Sequence, residues 1–125
     1  MNQPLSGRNI LIVEDESLVA MLLETILEDM GCTPVGPASS VDEGLALIES
    51  GMTLDGALLD VNVAGVKIFP IAEALAARDI PFVFSTGYGE GGLPDEWKGR
   101  PTLQKPFSEA AVQDALMTAL GVASV

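Results

Sequence analysis

Two short apolar runs, each closed by acid, limit what this chain can fold into more than any other feature. Asn9 to Val13 reads NILIV and leads into Glu14, Asp15 and Glu16, while Asp55 to Asp60 reads DGALLD and ends in a carboxylate. Uninterrupted apolar runs of this length, rich in branched residues, suit central strands of a parallel sheet covered on both faces. Open α/β domains bind ligands outside the carboxyl ends of their strands. Two carboxylate-rich strand ends side by side lose hydration and repel each other unless a cation sits between them. The chain is therefore expected to support an acidic pocket on a small sheet.

The rest of the chain alternates helical and extended patterns. Ser17 is read as the cap of a helix reaching about Met30, with the apolar members of the series Leu18, Met21, Leu22, Thr25, Ile26 and Asp29 facing inward, Glu24 and Glu28 facing out, and Gly31 as its stop. Thr33 to Ala38 (TPVGPA) is a weak strand whose two prolines suit a sheet edge. Ser40 and Glu43 form a capping-box pattern ahead of a helix over Val41 to Glu49, in which Gly44 suggests a close helix contact. Asp55 to Asp60 is the next strand, followed by a loop from Val61 to Val66 and a helix over Lys67 to Ala77 with Pro70 in its first turn. Ile80 to Ser85 is a strand. Thr86 to Gly99, with five glycines and one proline, reads as a long loop holding at most a turn or two of helix. Pro101 to Gln104 gives the last strand, and a helix capped by Ser108 runs to about Leu120 before Gly121. Five strands alternating with helices imply a parallel sheet with helices on both faces.

Composition narrows the function. At 125 residues the chain has the size of one domain, with residues 1–8 expected to be a flexible polar lead, 9–121 the folded unit and 122–125 a tail. Eighteen acidic against six basic residues give a net charge of −12, which disfavours nucleic acid and anionic lipid as partners. With no histidine, neither Ser-His-Asp chemistry nor a typical zinc site is expected. The single cysteine, Cys32, has no internal disulfide partner and reads as a small semi-buried hydrophobe. No signal peptide or membrane-length apolar run is recognisable, so the expected location is the cytoplasm.

Five positions then fall at strand ends: Glu14 and Asp15, Asp60, Thr86 and Lys105. Acids, a hydroxyl and an ammonium on one rim suit a hard cation plus a phosphoryl group. Magnesium takes oxygen ligands, here two carboxylates with a backbone carbonyl near Asn62. Asp60 is expected to attack phosphorus as a nucleophile and form a mixed anhydride. Lys105 offsets charge on the transferred oxygens, and Thr86 donates a hydrogen bond to one of them. Taken singly, each residue also has an ordinary explanation, the acids as turn or cap residues, Thr86 as a turn residue and Lys105 as a solvated lysine before Pro106.

The motifs VEDE at Val13 to Glu16, LLDV at Leu58 to Val61, ST at Ser85 and Thr86, and KPF at Lys105 to Phe107 occur in order, and from Asn9 to Leu120 the chain resembles a response-regulator receiver domain. The resemblance implies a doubly wound, flavodoxin-like sheet of strand order 2-1-3-4-5, with a fourth helix that is short or disordered here. It implies Asp60 as phosphoacceptor, Asp15 as direct magnesium ligand, Glu14 as the acid holding magnesium partly through water, and Asn62 as the carbonyl donor. Thr86 corresponds to the switch hydroxyl, Lys105 to the phosphate-contacting lysine and Gly87 to the small residue that leaves the pocket open. Phe84 to Glu90 (FSTGYGE) resembles the Phe-Ala-Thr-Gly-Tyr-Gly receivers of alphaproteobacteria, with Ser85 in place of alanine. Those proteins are partnered with histidine kinases of the HWE or related type, and many are single receivers. Thr102 occupies the position where an aromatic switch residue is usual. Tyr88 is either its replacement or simple packing over the glycine-rich loop, and Trp97 is either a lid over the final strand or an exposed partner contact, with local packing favoured.

The implied function is a single-domain response regulator that takes phosphate on Asp60 and acts as a switch, a relay or a sink for a downstream target or phosphotransfer protein, as a monomer or weak homodimer. Its chemistry would be self-phosphorylation and autodephosphorylation, without multiple turnover on external substrates. The alternatives are a small phosphatase with an aspartate nucleophile, for which Asn62 stands where a second acid is needed, and an interaction module that never takes phosphate.

Overall fold

The computed structural model describes residues 5–87 and 93–122. Tyr88 and the glycine-rich stretch directly after it lie outside the described residues. Strands β1 (Asn9–Val13), β2 (Thr33–Ala38), β3 (Gly56–Asp60), β6 (Phe82–Thr86) and β7 (Thr102–Gln104) form one parallel sheet in the order β2-β1-β3-β6-β7. This is the expected 2-1-3-4-5 order. Helices α1 (Ser17–Asp29), α2 (Val41–Glu49), α3 (Phe69–Ala77) and α4 (Glu109–Leu120) cover both faces. None of the described helices is long and apolar enough to cross a membrane.

The central strands are buried because each face of the sheet is an apolar layer. Alternate residues Leu11, Val13, Ala57, Leu59, Phe82 and Phe84 join α2 and α3 in one core, and Ile10, Ile12, Leu58 and Val83 join α1 and α4 in the other. Full burial of a Leu or Phe side chain contributes about 1.5 to 3 kcal/mol. β2, with Pro34 and Pro37, lies at the sheet edge, where a missing amide hydrogen costs no outer ladder bond, and its register against β1 shifts between Leu11 and Val13.

Local signals held at several helix ends. Ser40 accepts from the Glu43 amide and Ser108 from the Ala111 amide, each at 3.1 Å, and Gly121 closes α4 at φ 69°. The Glu43 carboxylate, however, accepts from the Ser39 hydroxyl at 2.7 Å. The close contact expected at Gly44 is with α3, since a β-carbon there would sit 2.5 Å from Ile71 Cδ1.

Other expectations need correction. Glu16, not Ser17, is the N-cap of α1, and it makes no side-chain cap bond. The inward stripe of α1 is Ala20, Leu23, Ile26 and Leu27, continued by Met30, whereas Leu18, Met21 and Leu22 are 81%, 60% and 47% exposed. The expected Val61–Val66 loop contains a hairpin, β4 (Asn62–Val63) against β5 (Val66–Lys67), so α3 begins at Phe69 and not at Lys67. Its two-residue turn has positive φ at both Ala64 (51°) and Gly65 (80°), the handedness that matches strand twist.

Leu5 lies in the segment read as a polar lead, yet it is buried against Cys32, whose thiol donates to the Leu5 carbonyl. Among the described residues between β6 and β7, helical structure is limited to a 3-10 turn at Asp95–Trp97. Trp97 packs edge-on to Phe82 and Phe84 at 5.8 and 6.1 Å, while the Arg100 guanidinium lies 4.7 Å from the Phe82 ring centre. Trp97 is therefore buried in local packing on β6 and is not an exposed partner contact.

Candidate metal centre at the carboxyl edge of the sheet

Parallel pairing brings the ends of β1 and β3 together, because Val13 is in register with Leu59 and the next residues are Glu14 and Asp60. Glu14 is 2% and Asp60 9% exposed, and Asp15 is open to solvent. One carboxylate oxygen from each of Glu14, Asp15 and Asp60 lies within 4.8 Å of the others. β7 follows β6 in the sheet and delivers Lys105, whose amide donates to the Thr86 carbonyl at 3.0 Å. The Lys105 ammonium then donates to Glu14 Oε1 at 3.0 Å and Asp60 Oδ2 at 3.4 Å.

Backbone amides orient the acids. Glu14 Oε2 accepts from the Glu16 amide at 3.1 Å, Asp60 Oδ1 from the Asn62 amide at 3.3 Å, and Asp15 Oδ2 from the Ala64 amide at 3.1 Å. The last of these ties the hairpin turn to the acidic cluster. Thr86 is 4% exposed at the end of β6. Gly87 is exposed beside it, and a β-carbon there would meet no atom within 4 Å.

Electrostatics favour a cation. Burial is the main influence on Glu14 and pushes its pKa up to about 7. The Glu16 amide and Lys105 oppose the rise, and the neighbouring Asp60 adds to it. Burial of Lys105 works against its charge, but the Glu14 hydrogen bond and the Asp60 charge outweigh it and hold the ammonium above the usual lysine range. One ammonium among three carboxylates leaves excess negative charge in a partly desolvated site. The donors are all hard oxygens, and the residues present fit a divalent ion such as magnesium.

The structure thus brings Glu14, Asp15, Asp60 and Lys105 together, with Asn62, Thr86 and Gly87 on adjoining backbone. Thr102 lies lower on the sheet, paired with Phe84, and its hydroxyl donates to the Arg100 carbonyl at 3.0 Å. Three features escaped the sequence reading of the site. Glu16 Oε1 lies 3.7 Å from the Lys105 ammonium, Ala64 supplies the amide that holds Asp15, and Ser85 is a buried hydroxyl. The Ala-Gly pair between Val63 and Val66 gave only Gly65 as a turn signal, since alanine seldom takes the positive φ that Ala64 adopts here.

No protein-family model matches the chain. The solution structure of SdrG from Sphingomonas melonis Fr1 superposes with a TM-score of 0.82 at 51% identity, covering 93% of this chain and 98% of that one. The receiver (REC) domain of the PhyR response regulator from Erythrobacter litoralis superposes at 0.79 with 27% identity, covering 97% and 96%. The phyllosphere-induced regulator PhyR of Methylorubrum extorquens is 30% identical over 115 residues, which are 89% of this chain and 43% of that protein. The chain spans less than half the length of the curated relatives it matches. A parallel sheet of this order, an acidic cluster bridged by a lysine, and close similarity over nearly all of a solved relative lead to one assignment: the chain belongs to the receiver-domain family of response regulators, related to those of PhyR.

Proposed function

We propose that Asp60 accepts a phosphoryl group from a histidine kinase and that the modified domain acts as a switch, a relay or a phosphate sink. The observation that carries this reading is the Lys105 ammonium bridging Glu14 and Asp60 within a cluster whose carboxylate oxygens converge to 4.8 Å. An Asp60 carboxylate oxygen forms the new P–O bond while the donor's P–N bond breaks and the electron pair leaves with the imidazole nitrogen. Lys105 neutralises charge on the transferred oxygens, and the Thr86 hydroxyl donates to one of them. Glu14, Asp15, Asp60 and the Asn62 carbonyl would hold magnesium, which when bound offsets phosphoryl charge. The Ala64 and Asn62 amides keep the acids aimed.

The kinase is read as HWE-type or a near relative, on the likeness of Phe84 to Glu90 to the alphaproteobacterial signature. Exposed Leu18, Met21 and Leu22 lie on the helix that follows Glu14 to Glu16 directly, and they would offer the donor an apolar landing. The receiver unit is taken as 9–121, cytoplasmic, and a monomer or weak homodimer. Acetyl phosphate with magnesium should give an acid-stable, base-labile adduct on the wild type and none on Asp60→Asn. An unchanged adduct on that variant removes Asp60 from the mechanism, and repeated turnover of a small phosphoester without an adduct replaces the switch with a phosphatase.

A further inference from the structure

The hydroxyl of Ser85 is 3% exposed and finds no hydrogen-bond partner among the described residues. Burying a hydroxyl unpaired is costly, so such a group next to a reactive site calls for a partner in another state of the protein. Its neighbours say which. Ser85 is in register with Asp60 on β3, and neighbouring strands run about 4.8 Å apart. Alternation puts Ser85 on the face of Val83 and Asp60 on the face of Leu58, both in the core shared with α1 and α4. On the other side Ser85 is in register with Leu103, two residues before Lys105. The orphan hydroxyl therefore lies in the same row, and on the same face, as the carboxylate and follows the strand that delivers the ammonium.

The two contacts already made by Asp60 are long, 3.3 Å from the Asn62 amide and 3.4 Å from Lys105. The carboxylate has acceptor capacity left on both oxygens. A phosphoryl group attached there adds three more strong acceptors to the same row.

We propose that Ser85 is a phosphoryl-contacting residue: its hydroxyl rotates to donate to the phosphorylated Asp60 side chain, as a second hydroxyl beside Thr86. This rests on the assignment of Asp60 as acceptor. Unmodified protein carries the unpaired hydroxyl as a defect, and the adduct removes it. The sign of a substitution should consequently differ between the two states. Ser85→Ala removes the defect and leaves the adduct short of one donor, which raises the melting temperature of the unmodified domain and lowers the capacity to form or keep the adduct. Ser85→Thr retains the donor.

The test treats wild type, Ser85→Ala, Ser85→Thr and Asp60→Asn with magnesium and acetyl phosphate, and follows adduct formation and decay by intact mass alongside thermal melting without phosphodonor. The expected result for Ser85→Ala is adduct formation slowed, or lifetime shortened, by about three- to tenfold. Its melting temperature should be equal to or above that of wild type, and Ser85→Thr should recover most of the loss. Equal formation and decay in Ser85→Ala and wild type would overturn the role of Ser85 while leaving Asp60 in place. A parallel fall in melting temperature and adduct without recovery in Ser85→Thr would make Ser85 a packing residue. No adduct on the wild type overturns the acceptor assignment itself, and the Ser85 proposal with it.

Discussion

Helices α1 and α2 flank the same strand on opposite faces of the sheet, yet their outer surfaces differ in kind. The exposed side of α2 carries Asp42, Glu43 and Glu49, while the exposed side of α1 begins with Leu18, Met21 and Leu22. Both helices bury a full apolar stripe inward, so the second stripe on α1 adds nothing to the core. Exposed apolar side chains grouped at the start of one helix, where its neighbour carries acids, make the two outer faces suited to different contacts. α2 thus turns an acidic side to solvent and α1 an apolar one, the side that the proposed function assigns to the phosphoryl donor.

Substitutions can break or sharpen that contrast, and the largest effect is expected on the inner face of α1. Leu27 is fully buried, and Leu27→Ala should cost about 2 to 5 kcal/mol through lost transfer energy and a residual cavity, read by urea unfolding. A loss below 1 kcal/mol would mean that the inner face is not the core face. On α2, Gly44→Ala drives a β-carbon against Ile71, and crowding should outweigh the helix-propensity gain of about 1 kcal/mol, leaving a net loss of roughly 1 to 2 kcal/mol. A gain in stability would show that the end of the Ile71 side chain can turn aside without loss of packing.

The next effect is smaller. Ser40→Ala removes the hydroxyl that accepts from the Glu43 amide and should cost about 1 kcal/mol in the same assay. Least of all in stability is Leu18→Glu, within about 0.5 kcal/mol of wild type because the side chain is 81% exposed. That variant should nonetheless slow phosphotransfer from a kinase while leaving the acetyl phosphate reaction unchanged. Equal kinase rates would remove the distinction between the outer faces of the two helices.

The misassigned face of α1 also explains where sequence reading stops. Leu18, Met21, Leu22 and Thr25 keep helical spacing as well as Ala20, Leu23, Leu27 and Met30 do, so periodicity offered two stripes and no means of choosing. The strands were easier because Ile10 to Val13 and Gly56 to Leu59 are apolar throughout and must be covered on both sides whatever packs there. The β4–β5 hairpin was hidden because two residues per strand are too few to display a period of two. Ser40, Ser108 and Gly121 were legible because capping is settled within one turn of chain.

The candidate site divides the same way. By itself the sequence determined that acids close two buried runs and that a lysine follows the last strand, since those placements depend on local pattern and order along the chain. Only the tertiary structure decided that Lys105 reaches both Glu14 and Asp60, that the Ala64 amide holds Asp15, that Leu5 is core and that the Ser85 hydroxyl, in the row of Asp60, finds no hydrogen-bond partner among the described residues. Each of these depends on sheet register and on which helix face turns inward, and both are set by contacts between residues far apart in the chain.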